Sequence, residues 1–185
     1  MKKFMYGIIA IAIIFGFTGC EKAQPYPVTI KSWKSYKDVA SWMQNNWHFS
    51  ADQRRIKNGK RKYLKQGGDI RDMRLESIAY PAEKSYDNQI GHCGDAALLI
   101  KDSLNKINPN YHAKIIFIKN TFSPHHWVTG FYLKDDLYVM DYGAGPKWSS
   151  MKGVHGPYKS IDGYKDFLNT LNISNFKPVQ VIWRD

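Results

Sequence analysis

Between Lys2-Lys3 and Cys20 runs an apolar stretch, residues 4–17, interrupted only by Tyr6 and glycines. Positive charge followed by an apolar run of this length has the make-up of a secretory signal peptide. It is too short and wrongly flanked for a stable membrane span. The segment therefore subtracts itself from the fold, and whatever core the chain builds comes from the residues beyond it. Taking residues 1–19 from the 185 leaves 166, one domain's worth and enough for a proper core.

The run ends in Phe17-Thr18-Gly19-Cys20, which resembles the lipobox of bacterial lipoproteins. That resemblance implies cleavage before Cys20, a lipid on Cys20 and attachment to a membrane of the bacterial cell envelope. Glu21 follows the cysteine where an Asp would signal inner-membrane retention in some enteric bacteria, so an outer-membrane location is the expectation. Residues 20–31, with Pro25 and Pro27, read as the lipidated cysteine and a tether, and residues 32–185 as the domain. Removing Lys2 and Lys3, with no acid lost, takes the formal charge from +11 to +9. Such a surface suits anionic envelope polymers or phospholipid headgroups. Nucleic acid is not expected as a partner of an exported chain that carries no recognition motif for it.

Cysteine usage sharpens this. The chain has two cysteines, and a lipid on Cys20 leaves Cys93 alone in a compartment where thiols tend to pair. A lone exported cysteine is either buried and inert or kept for its chemistry.

Helical spacing of Tyr36, Val39, Ala40, Met43 and Trp47 predicts a helix over 35–47, with Ser35 and Asp38 as its cap. Residues 54–65, rich in Lys and Arg, read as a solvated helix face or loop. A short helix is expected over 71–78, and a nearly buried one over 94–107, ended by Asn108-Pro109-Asn110. Strands are expected over 113–119, 126–134 and 137–140, the last two joined by a hairpin at Lys134-Asp135-Asp136. Residues 143–157 read as a loop, 160–171 as a helix and 179–183 as a final strand. The fold class is α+β: N-terminal helices first, then a mainly antiparallel sheet on which the Cys-bearing helix packs.

Cys93 lies in Gly91-His92-Cys93-Gly94-Asp95-Ala96-Ala97, opening that buried helix. A helix N-terminus offers free N–H groups and partial positive charge, which favour a thiolate and can stabilise an oxyanion. A thiolate nucleophile needs an imidazole and a group that orients it. His125-His126-Trp127 opens one strand and Asp141 ends the next, so paired strands can set a His beside an Asp.

Gly-x-Cys-x-Asp-x-Ala at a helix start, then His-x-Trp, then a hairpin ending in Asp, resembles the transglutaminase-like superfamily of the papain-like fold. The likeness covers roughly residues 33–143. It implies Cys93 as nucleophile, His125 as base and Asp141 as the orienting carboxylate. His126, sharing a strand face with Val128, reads as structural and stands as the alternate base. His92 occupies a site where an acid or amide is more usual. No side chain is assigned to the oxyanion hole, which leaves the N–H of Cys93.

The resemblance implies a membrane-anchored cysteine hydrolase (peptidase or amidase) or an acyl transferase, acting on exported polypeptides or peptidoglycan peptides. No cofactor is expected. No metal is expected either, since no set of paired cysteines or histidines supplies a structural zinc site. The alternative is a catalytically inactive transglutaminase-like lipoprotein that serves as a binding module through its basic segment.

Overall fold

A computed structural model of the chain describes residues 24–50, 55–57, 60–62, 79–122 and 124–184. The segment read as a signal peptide, Cys20 and the helix expected over 71–78 lie outside the described residues.

The described chain begins with α1 (Tyr26–Ser32), which corrects the tether expected through residue 31. Pro25 and Pro27 start this helix rather than keep the chain extended, because proline's fixed φ suits a helix's first turn. Tyr26 and Ile30 are buried in the main core. The Tyr26 hydroxyl donates to Asp102 at 2.7 Å, so the domain extends to at least Tyr26. Next, α2 (Tyr36–Asn46) starts on the cap read from sequence. The Ser35 side chain accepts from the N–H of Lys37, and Asp38 accepts from that of Ser35 at 2.9 Å. A cap of this kind contributes about 1 kcal/mol.

Three short strands follow: β1 (His48–Phe49), then β2 (Arg55–Lys57) paired antiparallel with β3 (Lys60–Lys62). The basic segment thus holds an antiparallel ribbon where a helix face or loop was expected. After α3 (Ala82–Asn88), β4 (Ile90–Gly91) pairs in parallel with β1 and leads directly into α4 (Cys93–Ile107).

The sheet contains β5 (Lys114–Asn120), β6 (His126–Leu133), β7 (Asp136–Asp141), β8 (Gly153–Tyr158) and β9 (Pro178–Trp183), in the order β8-β7-β6-β5-β9. Every neighbouring pair is antiparallel. The β6–β7 connection is the expected hairpin: Leu133 pairs with Asp136, and Lys134 takes φ 58° in the two-residue turn. The region expected as a loop over 143–157 instead carries a 3-10 stretch (Pro146–Met151) and the edge strand β8. α5 (Ile161–Thr170) starts at Ser160 as expected.

Helices cover both faces of the sheet. Phe131 and Met140 pack with Leu99, Ile100 and Leu104 of α4 and with α1–α3. Val128, Val139 and Ile116 point the other way, into a cluster with Tyr164 and Leu168 of α5. Burial on both faces explains why the strands read as apolar runs instead of clean alternation. α4 is fixed to β6 by a buried bond from the Thr129 hydroxyl to the Ala97 carbonyl, 2.7 Å long. The molecule is therefore α+β with a five-stranded antiparallel sheet, and the tip of its most buried helix carries Cys93.

Candidate active site

The segment before Cys93 is seated from two sides. His48 donates its N–H to the Gln89 carbonyl, and Ser50 donates to that of Gly91, both at 2.8 Å. Gln89 ends α3 in the left-handed region, at φ 54°. Asp95, buried in the first turn of α4, accepts from the N–H of Tyr80 at 2.7 Å and from that of His92 at 3.0 Å. The Asp of the sequence motif is thus a capping carboxylate that ties two chain segments to the start of the helix. The N–H of Gly94 goes to Nδ1 of His92 at 2.9 Å, and that of Ala96 to the His92 carbonyl. Cys93 N–H has no partner among the described residues, so it remains a donor at the helix tip.

His126, the first residue of β6, meets Asp141, the last of β7. His126 Nε2 and Asp141 Oδ2 are 2.7 Å apart, and both side chains are fully buried. The other carboxylate oxygen accepts from the N–H groups of Gly143 at 2.9 Å and Ala144 at 3.0 Å. Asp141 is thereby held by the turn that follows it. With Nε2 occupied, Nδ1 is the imidazole nitrogen left for Cys93, whose sulfur lies within hydrogen-bonding reach of the ring. The Trp148 and His126 rings pack nearly perpendicular to each other, with centroids 5.5 Å apart.

Burial raises the Cys93 thiol, but hydrogen bonds from His126 and His92, with their charge, outweigh it and bring it down to about 6. Burial lowers the His126 imidazole, while the Asp141 carboxylate and then Cys93 push it up to about 10. Both directions favour thiolate beside imidazolium.

Here the base assigned from sequence is corrected. His125 lies just before β6, half-buried, where its Nδ1 accepts from the N–H of Asn120 at 3.1 Å. Its ring stands edge-on to Phe117, and burial followed by the charge of Lys119 lowers its pKa. The reason is register. Thr129 pairs with Met140, so the next residues outward, Val128 and Asp141, share the opposite face, and His126 lies two residues further along that face. The structure therefore brings together Cys93, His126 and Asp141, and leaves His125 outside. Sequence reasoning also missed Gly143, which packs against Cys93, and Trp148. Neither carries a signal in its residue type alone.

Among the described residues no group of three His, Cys, Asp or Glu side chains is placed to hold a metal ion. No helix among them is long and apolar enough to cross a membrane. No protein-family model matches the chain, and no curated protein matches it either.

Proposed function

We propose that this protein is a cysteine-nucleophile enzyme acting on amide bonds, built on a transglutaminase-like, papain-like fold. The observation that carries the reading is the buried cluster of Cys93, His126 and Asp141 at the tip of α4. The thiolate of Cys93 attacks a substrate carbonyl, and the resulting oxyanion faces the N–H of Cys93. His126, held at Nε2 by Asp141, gives the proton on its other nitrogen to the leaving amine as the C–N bond breaks. The thioester that remains is opened by water, whose proton passes to His126, or by an amine. Water completes hydrolysis and an amine completes transfer; hydrolysis is the preferred outcome because water is abundant. Exported polypeptides or peptidoglycan peptides are the substrate classes that fit a chain anchored in the envelope through a lipid on Cys20. The outer membrane is the proposed location.

The test is the pH dependence of Cys93 alkylation by iodoacetamide in the full-length chain, read by peptide mass so that Cys20 is resolved separately. The expected midpoint lies near 6. It moves toward the free-thiol value of about 8.5 in His126→Ala and stays in place in His125→Ala. A Cys93 that labels as an ordinary thiol and ignores His126 would overturn the reading and favour a binding module.

A further inference from the structure

The residue that caps α4 is itself an imidazole. Helix N-caps are usually Ser, Thr, Asp or Asn, whose short oxygens accept from the first turn. His92 performs the same service with Nδ1, which accepts from the N–H of Gly94 at 2.9 Å, while its own backbone N–H is taken by Asp95 at 3.0 Å. Capping alone does not call for a ring, since a serine would serve as well and fill less space.

The bond to Gly94 fixes more than the helix start. A ring whose Nδ1 accepts an N–H carries its proton on Nε2 when neutral. Nε2 lies 3.6 Å from Asp95 Oδ2, and the ring is also within hydrogen-bonding reach of the Cys93 sulfur. The side chain is only 7 % exposed, so water screens these interactions little. With its lone pair already engaged, the ring can serve the sulfur only as a donor.

We infer that His92 is a positioning residue for the nucleophile: a second imidazole, locked by the helix cap as an Nε2–H donor, that holds the Cys93 sulfur as thiolate beside His126. This rests on the cysteine-nucleophile reading above and adds a residue to it. His92 moves no proton. His126 releases its proton to the leaving amine and recovers one from water, while the Nε2–H of His92 stays in place through both halves of the reaction. It therefore steadies the sulfur when it attacks and again when it departs from the thioester.

The cap and the thiolate roles separate in one substitution. In the full-length chain, His92→Ser keeps an N-cap oxygen for Gly94 and removes the ring. The expected result is a thermal midpoint close to that of the unaltered protein, with the iodoacetamide labelling midpoint raised by about one pH unit. Labelling at pH 6 then slows severalfold, approaching the tenfold that one unit implies. His92→Asn, which also caps, is measured alongside in case the serine variant does not fold. An unchanged labelling midpoint in either folded variant overturns the inference. His126→Ala serves as the reference. If it raises the midpoint and the His92 variants do not, only the role of His92 fails. If none of the three moves it, the nucleophile reading fails as well.

Discussion

Gly143 packs its Cα directly against the backbone of Cys93, so that a Cβ there would overlap the Cys93 Cα and lie 2.9 Å from its Cβ. The neighbour is helix backbone, which cannot swing aside as a flexible side chain would. The same residue donates its N–H to Asp141, so one position joins the helix that starts at Cys93 to the turn after Asp141.

Gly143→Ala is therefore expected to push α4 and the β7 turn apart. Overpacking of this kind costs about 1–3 kcal/mol. Thermal unfolding should show that loss, and Cys93 labelling at pH 6–7 should slow in the protein that remains folded. Normal stability with normal labelling would mean that the two backbones are not in contact.

Asp141→Asn keeps an oxygen to accept from Gly143 and Ala144 but presents an amide N–H to Nε2 of His126. The imidazole must then hold its proton on the other nitrogen, and it loses the carboxylate that stabilises its charged form. Labelling should shift toward that of an ordinary thiol. Turnover of any cleaved peptide should fall on the order of a thousandfold or more, the scale seen when a triad carboxylate is neutralised. Asp141→Ala should in addition destabilise the fold by about 3–5 kcal/mol, because it leaves the two N–H groups and a buried imidazolium without their partner.

The two displaced pKa values have opposite consequences for stability. Cys93, lowered from 9.0 to about 6, contributes stability that is full above about 9 and is lost as pH falls through about 6. His126, raised from 6.5 to about 10, contributes stability that is full below about 6.5 and is lost as pH rises through about 10. Between about 6.5 and 9 the folded pair and the unfolded pair each hold one proton, so the pair adds no net slope there. Cys93→Ser removes one side of that balance and leaves His126 raised by Asp141. Its thermal midpoint should fall with rising pH, relative to the unaltered protein, across the same window. Parallel curves would show that sulfur and imidazole are not coupled.

Thr129→Val is expected to lower stability by about 0.5–1.5 kcal/mol through loss of the bond to the Ala97 carbonyl. The labelling midpoint of Cys93 should stay where it is, since the Thr129 hydroxyl bonds to the Ala97 carbonyl and is not among the groups that shift the thiol. A midpoint that moved with Thr129 would mean that the seating of α4 on β6 itself sets the thiol.

Much of this arrangement was legible in the residues, and the places where it was not have physical causes. The buried helix starting at Cys93, the Ser35 cap and the β6–β7 hairpin each follow from local pattern, which the tertiary structure respects. α1 escaped notice because Pro25 and Pro27 suggest an extended tether, although proline is also at home where a helix starts. β8 was hidden by Gly153, Gly156 and Pro157, residues that an edge strand tolerates and a central one does not. The choice between His125 and His126 was decidable from the hairpin. A two-residue turn at Lys134-Asp135 sets Val128 opposite Asp141, and counting back by two reaches His126. The motif pointed one residue away from what the register requires.

The position of α1 carries a further consequence for reach. Tyr26 is anchored in the core, and Cys20 precedes it by six residues. Even fully extended, six residues span only about 20–22 Å. With Cys20 embedded in lipid as proposed, the domain is on a leash no longer than that and works within a thin layer beside the bilayer. Its encounters are then governed by lateral diffusion in two dimensions, and a substrate of the proposed activity must come to the membrane to be met.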